Sequence, residues 1–157
     1  MPHSPFGTLC SLLVSSLLAA PPATAADRPA LAPDDLTAAF AAAGFRQSAD
    51  GRWIRCQEDP PTMSYVPGRA EIGDLNGDGR PEVWITESSL FCYGNTGSAF
   101  VLLTREGSAW RALLDEVGMP LQRDAHHDGW PDIEVGGPGF GQFPVYRWNG
   151  HDYERTH

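Results

Sequence analysis

The sequence predicts an α+β fold that is mostly β, with one short N-terminal helix packed on an antiparallel, hairpin-rich sheet. A single segment, between Leu36 and Ala43, repeats its apolar residues at helical spacing. The apolar runs after it are short, rich in β-branched and aromatic residues, and separated by turns that contain glycine or asparagine. Two acidic loops, 50 residues apart, are each followed by strand-like residues. At 157 residues, the chain is expected to form one domain.

The amino-terminal segment has the layout of a cleaved export signal. The apolar run Leu9–Ala20 precedes a stretch of small residues, in which Ala23-Thr24-Ala25 supplies an A-x-A cleavage site. The run is too short to span a bilayer, and a disordered or membrane-apposed tail is the alternative. We therefore expect a signal peptide at residues 1–25, a flexible linker at 26–33, and a single periplasmic or secreted domain at 34–157.

The charge of the chain limits its partners. The first 25 residues contain no Asp, Glu, Lys or Arg, so the whole net charge of −9 falls on the residues that follow. Such an acidic domain repels nucleic acid and anionic membranes, and it favours cations or basic partners. We expect a monomer with no nucleic-acid partner and no membrane span, and with a protein or carbohydrate partner that the sequence does not identify.

The cysteines predict one disulfide. Removal of the leader takes Cys10 with it and leaves Cys56 and Cys92. In an oxidising compartment an even number of cysteines favours a bridge. Two separately buried thiols are the alternative, because the spacing in sequence does not give the distance between the Cα atoms.

The predicted helix follows the linker. Asp34 or Asp35 is placed to cap its amino terminus, and Gly44 stands where a C-terminal cap belongs. Its apolar positions recur at helical spacing and are Leu36, Ala39, Phe40 and Ala43. A helix this short must pack its apolar face on another element.

Hairpins are predicted for the rest of the chain, ending with Asn149-Gly150, which is the strongest short hairpin signal. The predicted pieces are a hairpin of Phe45–Gln47 and Arg52–Cys56, an irregular loop at Gln57–Gly68, a strand at Val83–Thr86, a turn at Phe91–Gly97, a hairpin of Phe100–Thr104 and Trp110–Leu114, a strand at Ile133–Val135, a glycine-rich connection at Gly136–Gly141, and a strand at Phe143–Trp148.

The two acidic loops, Asp74–Ile85 and Asp124–Val135, share one frame. In the first, oxygen-bearing side chains stand at positions 1, 3, 5 and 9 and glycine at position 6; the second repeats Asp, Asp, Gly and Pro at positions 1, 5, 6 and 8. Carboxylates this close repel one another unless a cation neutralises them, and Ca²⁺ accepts about six to eight oxygen ligands in flexible geometry. Two solvated, merely acidic turns are the alternative.

The residues after each loop distinguish between calcium-loop classes. An EF-hand needs a bidentate acid at position 12 and flanking helices, but Ile85 and Val135 stand there. The stretches DLNGDGRPE and DGWPDIEVGGPG instead resemble the FG-GAP or VCBS-type repeats of integrin-like β-propellers and many secreted bacterial proteins. Because two repeats cannot close a propeller ring, we expect a compact non-propeller domain.

The resemblance implies two Ca²⁺ sites between strands. The implied ligands of the first are Asp74, Asn76, Asp78, Glu82 and the carbonyl of Arg80. The implied ligands of the second are Asp124, Asp128, Asp132 and the carbonyl of Trp130. His126 stands at position 3 of the second loop, where imidazole is a poor ligand for a hard cation, so the first site is the stronger prediction.

The sequence contains no G-x-S-x-G, H-E-x-x-H, Walker-loop or C-x-x-C motif. His126 and His127, together with Asp124 and Asp128, form an alternative transition-metal set, and Trp130 is expected to be exposed within its loop. The leading hypothesis is an exported, calcium-binding structural or protein-interaction module without catalysis. The alternatives are a periplasmic inhibitor or accessory protein that docks a basic enzyme and, less favoured, a weak hydrolase.

Overall fold

The computed structural model describes residues 30–57, 64–139 and 141–156. The predicted leader and most of the predicted linker lie outside this range. The helices are α1 (Pro33–Ala42) and α2 (Leu90–Tyr93), the latter continued by a 3₁₀ turn at Gly94–Thr96. The strands are β1 (Arg46–Gln47), β2 (Trp53–Ile54), β3 (Val66–Gly73), β4 (Glu82–Ser88), β5 (Ser98–Glu106), β6 (Ala109–Val117), β7 (Met119–His127), β8 (Trp130–Gly136), β9 (Val145–Trp148) and β10 (Tyr153–Arg155).

The strands form two four-stranded antiparallel sheets and one two-stranded ribbon, β1–β2. The first sheet has the order β3-β4-β5-β6 and the second the order β10-β9-β8-β7. Each four-stranded sheet is therefore a meander of strands that follow one another in the chain. The prediction of a mostly β, antiparallel fold is confirmed, but the single sheet that we expected is two sheets.

The first sheet is buried on both faces. On one face, Val83 and Ile85 pack with Phe40 and Phe45 of the α1 region in one apolar cluster. On the other face, Phe100 and Leu102 join side chains of the second sheet, including Ile133, in a second cluster. Because successive strand residues point to opposite faces, this arrangement explains why the sequence of β5 is a continuous apolar run. The layers are thus a helix with its ribbon, a sheet, and a second sheet.

Helix α1 differs from the prediction at its amino terminus. It begins at Pro33 rather than after an aspartate cap; Ala32 occupies the cap position and makes no side-chain bond there. Proline is favoured in the first turn because its missing N–H would have no partner there, and Asp34 and Asp35 lie in that turn, where negative charge is stabilised. At the other end, Gly44 has a positive φ of 79°, as expected of a residue after a helix.

Three other segments depart from the prediction. Phe91–Gly97 is not a simple turn, because most of it is the helical α2 and 3₁₀ segment, in which the Ser89 hydroxyl accepts a bond from the Cys92 N–H. Strand β3 begins at Val66, inside the predicted irregular loop. Strand β7 was not predicted, because it is exposed along nearly its whole length and carries no apolar alternation.

Cys56 and Cys92 are joined by a disulfide, as the sequence predicts, with their Cα atoms 6.0 Å apart. The bridge connects the segment after β2 to helix α2. None of the helices in the described part of the chain is long and apolar enough to cross a membrane.

Candidate functional site

The first acidic loop connects β3 to β4 and is organised around Asp74. The Asp74 carboxylate accepts backbone N–H bonds of 2.8, 3.1 and 2.9 Å from Gly77, Asp78 and Gly79. Gly77 and Gly79 have φ values of 77° and 82°, which glycine adopts without the steric cost that other residues bear. The loop therefore wraps its backbone around a carboxylate at position 1.

The middle of this loop presents further oxygen atoms. The Asn76 side-chain oxygen accepts a bond from the Asp78 N–H at 3.0 Å, and the Asp78 carboxylate accepts one from the Arg80 N–H at 2.8 Å. The Arg80 guanidinium donates to the carbonyl oxygen of Arg105 at 2.6 Å, which ties the loop to the end of β5. Asp78 and Arg80 remain exposed to solvent.

Glu82, at position 9, is the buried member of the loop. Its side chain is 1 % exposed and accepts bonds from the Leu75 N–H at 2.8 Å and the Thr104 hydroxyl at 3.0 Å. Burial raises the pKa of Glu82, and the nearby charges of Asp78 and Asp74 raise it further. Its charged form is thus held in an environment that disfavours negative charge.

No basic side chain neutralises this loop within the described residues. The ion pairs found there involve other acids, and none includes Asp74, Asp78 or Glu82. Two hydrogen bonds to neutral groups lower the cost of burying the Glu82 carboxylate but leave its charge uncompensated. A cation at this loop would supply the missing opposite charge.

The second acidic segment folds as a tight hairpin. Asp128 and Gly129, with φ values of 51° and 86°, form a two-residue turn between His127 and Trp130, which pair across β7 and β8. The ladder between these strands shifts register between Gln122 and His126, so Asp124 lies in an irregular part of β7. This hairpin is more closed than the first loop, whose strands pair only as far as Gly73 and Glu82.

The buried acid of the second hairpin has a counter-ion that the chain itself supplies. Asp132 is 3 % exposed and forms an ion pair with Arg147 of β9 at 2.9 Å, with the His127 Nε2 atom at 3.4 Å. The bond to Asp132 raises the pKa of Arg147. His126 places its Nδ1 atom 2.8 Å from the carbonyl oxygen of Asp124, so the two histidines contact different partners.

Trp130 is buried, and the expectation that it is exposed is wrong. Its side chain is 7 % exposed and stacks on Trp148 at 4.6 Å between ring centroids. Tyr153 contacts both rings edge to face and donates its hydroxyl to the carbonyl of Pro131 at 2.9 Å. The aromatic group fills the space beneath the hairpin, which sequence spacing alone did not indicate.

The two acidic segments occupy equivalent places in the fold. Each lies in the first hairpin of a four-stranded meander, and each buried acid lies within the first three residues of the second strand. In each meander, a residue of the third strand contacts the buried acid. The acid and this residue lie next to a cross-strand pair, which is Val83↔Leu103 in the first meander and Ile133↔Tyr146 in the second. The contacting residue is Thr104 in the first meander and Arg147 in the second.

The two segments also meet in space. A Cβ atom built on Gly129 would lie 2.6 Å from the carbonyl oxygen of Asn76, so the turn of the second hairpin packs directly on the backbone of the first loop. Only glycine permits this approach, which explains the residue type at this position. The turn of the second hairpin and the first acidic loop are therefore neighbours in the fold.

The donor set of the first loop suits a hard cation, because it consists of carboxylate, amide and carbonyl oxygens. Oxygens of Asp78 and Glu82 keep lone pairs beyond the bonds described above. The structure contains no preformed group of three or more His, Cys, Asp or Glu side chains that could hold a metal ion among the residues it describes. Binding of a hard cation here would therefore require these side chains to converge on the ion.

A third buried carboxylate, Glu87 on β4, has no signal in the sequence that distinguishes it from other acids. It is 1 % exposed and accepts four hydrogen bonds. The donors are the backbone N–H groups of Arg55 and Cys56 and the hydroxyls of Tyr65 and Tyr93. Burial and the bond to Glu87 raise the pKa of Tyr93, so this tyrosine stays a protonated donor at neutral pH. Through these bonds, Glu87 connects the segments around both disulfide-bonded cysteines, Cys56 and Cys92, to strand β4.

Comparison of the chain with protein-family models, with curated proteins and with solved structures finds no match. The assignment of a function therefore depends on the residues and geometry of the chain itself.

Proposed function

We propose that this chain is an exported, non-catalytic structural or protein-interaction module whose first acidic loop binds Ca²⁺. In this proposal Asp74, Asn76, Asp78 and Glu82 bind the ion through side chains, and Arg80 through its carbonyl oxygen. The ion acts as a folding ligand, because it relieves the repulsion among the acids only when the folded chain brings them together. Export follows from the sequence of the leader and is tested separately by cell fractionation.

The observation that carries the proposal is the contrast between the two meanders. Asp132 in the second meander is held by the guanidinium of Arg147, whereas Glu82 at the equivalent place accepts bonds only from neutral groups, the Thr104 hydroxyl and the Leu75 N–H. A buried carboxylate without a counter-ion is costly, and the charge missing from the first meander is the one that a bound cation supplies. The difference favours Ca²⁺ at the first loop.

The second segment is proposed to bind Ca²⁺ more weakly. Its ligands would be Asp124, Asp128, Asp132 and the carbonyl of Trp130, but Arg147 already compensates the buried acid. An ion there would have to displace or coexist with a guanidinium, and like charges repel at this distance. We therefore expect one dominant site.

Calorimetric titration of the mature protein with Ca²⁺ tests the proposal. We expect binding with a dissociation constant of about 10⁻⁴ to 10⁻³ M, the range of extracellular calcium modules, and an increase in the melting temperature. Asp78→Ala should remove both effects, while Glu154→Gln, which changes an exposed acid on β10, should leave both intact. No heat and no thermal shift with excess Ca²⁺ would defeat the proposal.

A further inference from the structure

The first strands of the two meanders, β3 and β7, lie at an edge where side chains do not fill the space between the two sheets. Strand β3 places Glu71 opposite Trp84, on the face that packs toward the second sheet. Strand β7 places Pro120 and Gln122 opposite Val135 and Ile133, which belong to the core between the sheets. Apolar side chains would close this edge of the molecule, but the sequence provides mostly polar ones.

The result is an open groove between β3 and β7. It consists of two adjoining depressions, of about 240 Å³ and about 260 Å³, which share the residues Glu71, Trp84 and Gln122. Asp74 and Leu75 lie at one end, and Thr86 and Leu121 lie at the other. Each depression is smaller than the roughly 300–1,000 Å³ that encloses a drug-sized ligand, so its size suits a single side chain.

The chemistry of the groove favours a cationic side chain. Its charged lining residues are Glu71 and Asp74, and no Lys, Arg or His is among the described residues that line it. Trp84 is half-buried and lies directly across from Glu71, so their Cβ atoms are about 4.5–5.5 Å apart. An indole ring beside a carboxylate attracts a guanidinium or ammonium group through its π-electrons and the negative charge together.

Glu71 is available for such a partner. It is exposed and takes part in none of the ion pairs or side-chain hydrogen bonds found in the part of the chain that the structure describes. Arg69 is the nearest cation on the same face of β3, because side chains two residues apart share a face. It does not line the groove.

We infer that the groove between β3 and β7 binds an arginine or lysine side chain of a basic polypeptide, with Glu71 and Trp84 as its recognition residues. The net charge of −9 draws a basic partner toward the molecule at long range, and the groove selects its cationic side chain at short range. Neither recognition residue is a proposed Ca²⁺ ligand, and only Asp74, at one end of the groove, belongs to both sites. It gives the acidic domain a defined place for a basic protein partner.

Binding of a fluorescently labelled, capped oligoarginine peptide to the mature protein, measured by anisotropy at low and at physiological salt, tests the inference. Glu71→Gln should weaken binding about fivefold, and Arg69→Gln should strengthen it, because the two changes alter the charge beside the groove in opposite directions. Glu154→Gln removes an equal charge at β10, on the opposite edge of the second sheet, and should change binding by less than about twofold.

The controls separate a groove from diffuse attraction. Equal weakening by Glu71→Gln and Glu154→Gln would overturn the inference, as would an absence of peptide binding at low salt. Binding of a neutral oligosaccharide that competes with the peptide and is insensitive to Glu71→Gln would also overturn it. Because Glu71→Gln leaves the loop acids in place, its Ca²⁺-induced thermal shift should match that of the wild type, so this experiment and the calcium experiment fail independently.

Discussion

Replacing Glu82 with glutamine removes the buried charge of the first loop while keeping its shape. The glutamine oxygen accepts the bond that the Leu75 N–H donates at 2.8 Å to Glu82. The amide N–H₂ group donates to the Thr104 hydroxyl, which lies 3.0 Å from the carboxylate and accepts as readily as it donates. The variant therefore tests the charge of a 1 % exposed group without leaving an unpaired polar atom.

Without Ca²⁺, the variant should unfold at the same temperature as the wild type or higher at neutral pH. The pKa of Glu82 is raised from its ordinary value of 4.5, mainly by burial. The folded state therefore keeps this proton to a higher pH than the unfolded chain does. The contribution of Glu82 to stability is fully present below pH 4.5 and is lost as the pH rises through the folded pKa. Glu82→Gln should lack this loss.

With Ca²⁺, the order should reverse. An ion present at about 100 times its dissociation constant stabilises the folded state by about 2.7 kcal/mol. For a domain of this size, a melting temperature rises roughly 3–6 °C per kcal/mol, so the wild type should gain about 8–16 °C. Glu82→Gln should lose most of this gain, because a neutral amide oxygen replaces the buried carboxylate among the ligands.

Scanning calorimetry of the mature, disulfide-bonded protein measures both effects. The scans compare chelator, excess Ca²⁺ and excess Mg²⁺ between about pH 5 and pH 8, and Glu154→Gln serves as the control for loss of an exposed charge. A full Ca²⁺ shift in Glu82→Gln would refute the reasoning that the uncompensated charge of Glu82 creates the site. A wild-type shift that is equal for both metals would refute the assignment to Ca²⁺.

Four further predictions concern other contacts in the fold. Arg147→Gln should lower the melting temperature, because it leaves the buried Asp132, which is 3 % exposed, without its counter-ion. It should also enlarge the Ca²⁺-induced shift in calorimetry, because the second acidic segment, like the first, would then have a buried acid without a counter-ion. Gly129→Ala should destabilise the fold by about 2–4 kcal/mol in urea unfolding, because the φ of Gly129 is 86° and the new Cβ would lie 2.6 Å from the Asn76 carbonyl oxygen. The control Gly107→Ala should cost only about 1 kcal/mol, because Gly107 has a φ of 64° and a Cβ there would meet no atom within 4 Å. Glu87→Gln should cost about 2–4 kcal/mol in the same assay, because one amide cannot accept the four bonds that the carboxylate accepts, and an unchanged midpoint would contradict this network. Burial and the Glu116 carboxylate raise the pKa of Tyr146 to about 12, so its stabilising contribution is present below pH 10 and is lost as the pH rises through about 12. The pKa values of Tyr93 and Tyr153 are also raised, so ultraviolet titration should compare the wild type with Glu116→Gln, in which only the Tyr146 transition should move toward 10.

The sequence predicted correctly those strands whose apolar residues are buried in the core. Phe100–Thr104 and Trp110–Leu114 were predicted as a hairpin, and they lie in β5 and β6, which pair antiparallel. Their apolar residues are needed by the core whichever neighbour covers them. Strand β7 escaped prediction because it is an edge strand whose exposed side chains carry no pattern, and β3 escaped because prolines and glycine at its start indicated a loop.

In the candidate site, too, the sequence predicted some features and missed others. The spacing of acids in Asp74–Glu82 is a local property, so the sequence predicts the loop and its oxygen donors without knowledge of the fold. The same spacing made Asp124–Asp132 look like a weaker copy, yet the decisive difference between them lies elsewhere in the chain. Thr104 and Arg147 are separated from their acids by 22 and 15 residues, and no local pattern connects them.

The sequence by itself determined the hairpin-rich β class, the disulfide partners and the position of the acidic loops, because these follow from composition, cysteine number and short-range spacing. Only the tertiary structure decided that the two acidic segments meet at Asn76 and Gly129, that Trp130 is buried, and which buried acid has a counter-ion. It also left the edge between β3 and β7 open. The physical reason is that compensation of a buried charge and filling of a core are long-range properties, set by side chains that strand pairing and sheet packing bring together from distant parts of the chain.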